Sequence, residues 1–368
     1  MTKNYTAIGL MSGTSMDGVD ASIIQSDGED NLEIIDNHYV SYDNKIQEDT
    51  RNLKEKIHSL SDIKNNKKLL LVLEKEITIY QAKVVEAILK KAKLKKDEIH
   101  LIGFHGQTLY HSFEERISKQ LGDGNLMKEL TGIKVAFNFR KNDIENGGQG
   151  APLSPIYHKL LCKKLKLEQS IAFVNIGGIS NITFLENDKI KKSFDTGPGN
   201  FLVDKFLQIK SNKKINFDKD GEIAFKGQVN EIILENFLNN NFFDMEPPKT
   251  LDVNDFSISI IKGLNLEDSV ATLSEFTSRT IVDSFQFVKN LPKKIILIGG
   301  GRKNKFFLNR INELSKIETI SIDNLNIDGD FIESQAFAYL AIRSFLKKPI
   351  SFFETTGVKT PCTGGEII

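Results

Sequence analysis

The chain has 368 residues, more than one hydrophobic core usually serves, so two domains or one large bilobal unit is expected. Its 49 basic and 49 acidic residues cancel, leaving no overall charge that would draw it to nucleic acid or to an anionic membrane surface. Two distant cysteines, Cys162 and Cys362, make neither a disulfide framework nor a zinc site; with no run of about 18 apolar residues and no basic–apolar leader, the expected class is a cytoplasmic enzyme or ATPase.

The apolar run 5–10 reads as a buried strand that stops at Gly13, and Val19, Ala21 and Ile23 alternate with polar neighbours in a second strand over 19–25. Between them lies Gly9-Leu10-Met11-Ser12-Gly13-Thr14-Ser15-Met16-Asp17-Gly18. A glycine turn at a strand end lets backbone N–H groups approach a phosphate closely. Gly13, Thr14 and Ser15 suit β- and γ-phosphate oxygens, and Asp17 suits Mg2+ held through water. A plain hairpin uses the same residues, so the loop alone leaves both readings open. A glycine loop followed by a strand, with no Gly-X-Gly-X-X-Gly opening a helix, argues against a dinucleotide-binding domain.

Residues 69–94 have helical spacing, with Leu73, Ile77, Val84 and Ile88 on one face. A short apolar run over 101–104 ends in His105-Gly106-Gln107-Thr108. A strand over 134–139 leads into a polar loop, Arg140-Lys141-Asn142-Asp143, and then Gly147-Gly148-Gln149-Gly150-Ala151-Pro152. Pro152 and Pro155 suit a helix start, and 156–165 has helical spacing.

The second half repeats the theme. A strand over 171–175 ends at Gly177-Gly178, and 182–185 is its hairpin partner, so strand, glycine turn, strand recurs as a repeat of architecture rather than of residue identity. Gly177 and Gly178 suit the other side of a triphosphate, or simply a hairpin turn. In Asp195-Thr196-Gly197-Pro198-Gly199-Asn200 two glycines flank a proline, which predicts a tight, pre-set turn. A rigid carboxylate there suits a general base; the plainer reading is an aspartate capping the helix that starts near 200 with Phe201, Val203 and Phe206. Residues 266–290 form a long helix capped by Asp268, with Leu273, Thr277, Ile281, Phe285 and Val288 in one stripe. After a strand over 295–298, Gly299-Gly300-Gly301 makes a flat backbone platform suited to adenine or ribose, or a helix-start turn, and a helix begins at Asn304. The last substantial helix spans 333–346. The domain boundary is expected near 135: residues 1–135 form the first domain, with the tail 346–368 packed on it, and 136–345 the second.

His105, His111 and His158 lack metal-ligand spacing, and neither a cysteine nor a nucleophile-elbow serine accompanies them; His105 reads as a hydrogen-bonding residue at a strand end. The P-loop pattern and the protein-kinase motifs are absent.

Taken together, the segments Met11-Ser12-Gly13-Thr14-Ser15-Met16-Asp17-Gly18-Val19-Asp20, His105-Gly106-Gln107-Thr108, Gly147-Gly148-Gln149-Gly150-Ala151-Pro152-Leu153, Asn175-Ile176-Gly177-Gly178-Ile179-Ser180-Asn181, Asp195-Thr196-Gly197-Pro198-Gly199-Asn200 and Gly299-Gly300-Gly301-Arg302-Lys303-Asn304 resemble the anhydro-N-acetylmuramic acid kinases, in family order. The resemblance implies a two-domain, actin-like sugar kinase fold of ribonuclease H-like mixed sheets flanked by helices, with ATP in the interdomain cleft. It implies conversion of 1,6-anhydro-N-acetylmuramic acid, ATP and water to N-acetylmuramic acid 6-phosphate and ADP, a step of peptidoglycan recycling. By the same resemblance Asp195 takes the proton from water, while Gly13, Thr14, Ser15, Met16, Asp17, Gly18, Val19 and Asp20 bind ATP with Mg2+, together with Gly177, Gly178, Gly299, Gly300 and Gly301. The resemblance also implies that Glu333, Arg140 and Gln149 contact the sugar and that the enzyme is a homodimer, while the charge balance leads us to expect no nucleic-acid or membrane partner. Two segments depart: many members carry Lys-Ser-Thr-Gly-Arg-Glu after Pro-Pro, whereas Pro247-Pro248 is followed here by Lys249-Thr250-Leu251-Asp252-Val253, which replaces that glycine by Asp252 and that arginine by Val253, and Thr355-Thr356-Gly357 keeps only part of the usual C-terminal pattern.

Two other readings compete. A kinase for another anhydrosugar such as levoglucosan would use the same chemistry on a smaller substrate. A non-sugar actin-like ATPase would keep the phosphate loops without needing Asp195.

Overall fold

A computed structural model describes residues 3–13, 16–167, 170–251 and 256–368. The chain divides into two compact units, Met1–Lys164 with Phe331–Ile368, and Leu165–Asp330.

The first unit is built on strands β1 (Tyr5–Ser12), β2 (Gly18–Ser26), β3 (Leu32–Ser41), β4 (Leu101–Ser112), β5 (Ile117–Leu121), β6 (Val135–Phe137) and, at the chain's end, β12 (Glu366–Ile367). They form one sheet in the order β12-β6-β4-β1-β2-β3, with β5 on β4. β1, β2 and β3 are antiparallel, whereas β1, β4 and β6 run parallel. Helix Lys67–Ala92 buries Leu73, Ile77, Val84 and Ile88, the predicted stripe, against this unit's core. Helix Ile332–Phe345 lies across β1, β2 and β4. It can do so because Gly9 and Gly103 are register partners on adjacent strands. A Cβ at Gly9 would stand 1.8 Å from Ser334 O, and one at Gly103 would stand 2.2 Å from Phe337 O. Two missing side chains therefore set the distance between helix backbone and sheet.

The second unit carries β7 (Ile171–Ile176), β8 (Ile179–Glu186), β9 (Lys189–Pro198), β10 (Lys294–Ile298) and β11 (Glu318–Ser321), in the order β11-β10-β7-β8-β9. Again three consecutive strands are antiparallel and two further strands add in parallel. Helices Leu266–Asp283 and Lys305–Ser315 pack on one another, and a core of Val174, Phe194, Ile281, Leu297, Phe307 and Ile311 fills the interior. The architecture is the expected mixed α/β fold, made twice with one strand order.

Several elements differ from the sequence reading. The expected boundary at 135 falls inside the first unit, because β6 pairs with β4 and β12 pairs back onto β6, and because Tyr157 donates to Gln335 Oε1 at 2.7 Å. Residues 136–164 and 331–345 thus join the first unit, along with the tail that was placed there. β4 continues through His105-Gly106-Gln107-Thr108 to Ser112, since β5 supplies an antiparallel partner from Gln107 onward. The polar loop at 140–143 enters a short helix, Lys141–Glu145. Residues 195–198 are strand, and the chain bends only after Pro198. Asn265, not Asp268, caps helix Leu266–Asp283: its Oδ1 accepts from Asp268 N, while the Asp268 carboxylate accepts from Gln228 N. That helix gives way to a 3-10 turn, Ser284–Phe287, where Ser284 Oγ bonds Ile281 O at 2.6 Å.

Candidate functional site

In the first unit the described part of the phosphate-type loop is fastened at its base. Ser12 Oγ lies 2.8 Å from Gly18 O and 2.6 Å from Gln107 Oε1, and Gln107 Nε2 donates to Gly13 O at 3.0 Å. Met16, buried and at φ 55°, donates its N–H to Gly13 O, and the Asp17 carbonyl accepts from Tyr42 N and from the Tyr39 hydroxyl. Asp17 is exposed, while Gly18 and Val19 are buried in β2 and Asp20 is half-buried. Gly18 is required by proximity: a Cβ there would meet Val40 O at 2.5 Å. Desolvation, and then the charges of Asp17 and Asp20, push the Tyr39 hydroxyl up to about 12. Thr14 and Ser15 lie outside the described residues.

A second group in this unit centres on Arg140. Its Nη1 donates to Gly150 O at 2.7 Å and its Nη2 lies 3.0 Å from His105 Nε2. His105 Nδ1 lies 3.0 Å from Gly106 O, an obligate acceptor, so the ring carries its proton on Nδ1 and offers Nε2 as acceptor to the guanidinium. Burial, reinforced by the Arg140 charge, lowers this imidazole to about 3, so it is neutral. The neighbouring glycine loop hangs on buried Asp143, whose Oδ1 accepts from Gly150 N at 2.7 Å and whose Oδ2 accepts from Thr356 Oγ1 at 2.6 Å. Gln149 sits in this loop with its N–H on Thr356 O. Thus Arg140 and Gln149 come together around one loop. Glu333 is half-buried in the first turn of helix Ile332–Phe345.

In the second unit the Gly177-Gly178 turn joins β7 to β8. Its carbonyls are taken from Gly199 to Phe201: Gly199 N and Phe201 N donate to Gly178 O, and Asn200 N and Nδ2 donate to Gly177 O. The Gly177 N–H itself goes to Ile179 O. Gly199 must be glycine, since a Cβ would meet Gly177 O at 2.3 Å.

Asp195 is buried in β9, at 8% exposure, with Asn181 as its register partner. β9 is an edge strand, and residues 249–251 run along its open side: Asp195 N donates to Lys249 O at 3.1 Å, and Leu251 N donates to Asp195 Oδ2 at 2.9 Å. The capping alternative is thereby excluded, because the Asp195 carboxylate serves Leu251 and the helix Phe201–Lys210 has Asn200 at its N-cap position without a side-chain cap bond. Asp252 and Val253, the family departures, lie outside the described residues.

The triple-glycine turn follows β10 as a short 3-10 turn, Gly300–Lys303. Gly299, at φ 73°, passes Asn175 so closely that a Cβ would stand 2.1 Å from its Oδ1; Gly301 packs on Ile176; Gly300 is exposed with open space around its Cα. Arg302 braces the turn from below. Its Nη1 donates to Gly299 O at 3.0 Å and Asp330 Oδ1 at 2.7 Å, its Nε donates to Asp323 Oδ2 at 2.8 Å, and Asp328 lies at 3.8 Å. The motif drew attention to the glycines, but the brace could be read only once Asp323, Asp328 and Asp330 were brought to it from more than twenty residues away.

Residues 5–368 match the family model of anhydro-N-acetylmuramic acid kinase. The chain belongs to that family. The anhydro-N-acetylmuramic acid kinase of Pelagibacter ubique (strain HTCC1062) is 46% identical over 378 residues, covering 100% of this chain and 99% of that one. The one from Zymomonas mobilis subsp. mobilis is 37% identical over 366 residues, covering 98% and 99%. Among solved structures, an activator of the 2-hydroxyisocaproyl-CoA dehydratase from Clostridium difficile with bound ADPNP aligns at 12% identity and TM-score 0.44 over 92% of this chain and 94% of that one; a likeness at this level says nothing of the site. The kinase family is the first of the three readings drawn from the sequence, and the other two are not favoured.

Among the described residues no helix is long and apolar enough to cross a membrane, and no group of three or more His, Cys, Asp or Glu could hold a metal ion. Exposed Asp17, at the end of the loop, is a single carboxylate of the kind that Mg2+ takes beside phosphate oxygens while it keeps several waters.

Proposed function

We propose that the chain converts 1,6-anhydro-N-acetylmuramic acid, ATP and water to N-acetylmuramic acid 6-phosphate and ADP; its relatives carry the name anhydro-N-acetylmuramic acid kinase. The observation that carries this reading is a family match spanning residues 5–368, with relatives of one name aligned over nearly the whole length of both chains. Asp195 is the general base: it removes a proton from the water that attacks the anomeric carbon. The bond from that carbon to O6 breaks, O6 takes its electron pair, and O6 attacks the γ-phosphorus as the bond to ADP breaks. A fixed carboxylate is what this chemistry requires, and the backbone donor at Leu251 supports Asp195 in its ionised form.

The nucleotide's phosphates are bound by Gly13, Thr14, Ser15, Met16, Asp17, Gly18, Val19 and Asp20 and by Gly177 and Gly178, and its adenosine by Gly299, Gly300 and Gly301. Asp17 would hold Mg2+ through water, and the ion supplies positive charge against the transferring phosphoryl group. Arg140, Gln149 and Glu333 bind the sugar. Arg140 supplies a guanidinium of the kind that recognises an anionic substrate group, and His105 and Gly150 O help orient it. The enzyme acts in the cytoplasm as a homodimer.

ADP release measured with anhydro-N-acetylmuramic acid, with levoglucosan and with no sugar tests the reading. Turnover is expected with the first alone, and sugar-independent turnover overturns it. In 18O-labelled water the label is expected on the anomeric carbon; its absence there refutes hydrolytic opening.

A further inference from the structure

A lysine is seldom buried without a task, and Lys249 is only 3% exposed. Its ammonium donates to Phe242 O at 2.8 Å and to Phe243 O at 3.2 Å. It also stands 4.4 Å from the ring centroid of Phe287, 4.7 Å from that of Phe242 and 5.8 Å from that of Phe194. Two carbonyls and three aromatic faces thus surround one cation. Burial draws its pKa down to about 8 against the upward pull of Asp244 and Glu246, so the ammonium is charged at neutral pH and can hold both carbonyls. The main chain of the same residue accepts from Asp195 N, and Leu251, two residues on, donates to the Asp195 carboxylate. Phe194, which forms part of the cage, is the residue before Asp195 in β9.

We propose that Lys249 is a positioning residue for Asp195: its caged ammonium fixes residues 249–251, and those residues hold the carboxylate at the edge of β9. This rests on Asp195 acting as the base. Lys249 touches no reacting atom in this scheme. It keeps a backbone donor on the ionised carboxylate, and losing that donor raises the carboxylate's pKa and loosens its aim.

The test compares Lys249→Met, Lys249→Arg and Asp195→Asn by steady-state kinetics across pH, with a thermal melt on each. Lys249→Met is expected to lower kcat about 10- to 100-fold, to move the acid limb of the kcat profile to higher pH, and to leave the KM for ATP unchanged. Lys249→Arg, which keeps charge and donors, is expected to recover part of the loss. An unchanged kcat and pH profile in a folded Lys249→Met enzyme overturns the inference. Should that variant fail to fold, the Leu251 amide of the wild-type chain decides: exchange at least about a hundredfold slower than an unstructured amide is expected, and fast exchange overturns the clamp. Full turnover by Asp195→Asn would instead remove the base assignment. A dead Asp195→Asn beside an unaffected Lys249→Met would remove only the role of Lys249.

Discussion

The two sheets share a strand order but differ in how their first two strands are joined and in what lies on them. β1 and β2 are linked by a loop held at its base by Ser12 and Gln107, with an exposed Asp17 near its end. β7 and β8 are linked by two glycines whose carbonyls are already engaged by Gly199, Asn200 and Phe201. Over the first sheet, a helix backbone rests on the glycine pair Gly9 and Gly103; β7 and β10 contain no glycine and bury Val174, Ile176, Ile295 and Leu297 instead. Histidine divides as sharply, since all six fall in the first unit. One scaffold, used twice, has therefore been given two different chemistries by local residue choice: a polar loop over a closely covered sheet, and a clamped carboxylate beside an aliphatic one.

The sharpest division is in catalysis. Asp195→Asn is expected to reduce turnover by about 10²- to 10⁴-fold while nucleotide binding, read by calorimetry, survives; near-normal turnover would deprive the second unit of its chemical role. The packing contrast comes next. Gly9→Val should cost roughly 4 kcal/mol or more, because the helix backbone itself must move. In the second unit it is removal that hurts: Leu297→Ala, at a fully buried site, should cost about 2–5 kcal/mol. Urea unfolding followed separately in each unit checks both, and a harmless Gly9→Val would break the comparison.

Acid should then separate the units. Burial holds His105 and His158 down at about 3 and His111 at about 4, with Arg140 adding to the effect at His105 and His111. The unfolded chain binds these protons near pH 6.5 and the folded unit does not. Their contribution is complete above that pH and declines as pH falls toward the folded values, by about 1.4 kcal/mol per pH unit for each histidine. In the second unit, half-buried Asp204 is raised to about 7 by desolvation and by the Asp218 charge. Its folded state binds the proton more tightly, so its contribution is full below about 3.8 and is lost as pH rises through 7. Corrected amide protection between pH 7 and 4.5 should fall in β4 and hold or rise in helix Phe201–Lys210; parallel loss in both would contradict this. The smallest effect expected is Asn265→Ala, about 1 kcal/mol from the loss of one helix cap, confined to the second unit and read by its melting temperature.

Local chemistry made much of this legible. Glycines at strand ends marked the turns after β1, β7 and β10, and a 3.6-residue stripe found helix Lys67–Ala92. Ordered motifs singled out Asp195. What stayed hidden depended on residues far apart in sequence. β4 outruns its apolar residues because β5 pairs with it, and the boundary near 135 failed because β6 takes a partner about 230 residues away at β12. Arg302 had no visible partner until Asp323 and Asp330 folded back to it, and the turn predicted just after Asp195 is strand as far as Pro198 because β8 pairs with it there.

The first unit is interrupted: the chain leaves it after Lys164 and comes back at Phe331 with the helix that covers Gly9 and Gly103. During synthesis, residues 165–330 are therefore complete before that helix emerges from the ribosome. The inserted unit can fold as a whole while the nascent sheet that began the chain still waits, uncovered, for its lid of backbone. The part made first is the part finished last.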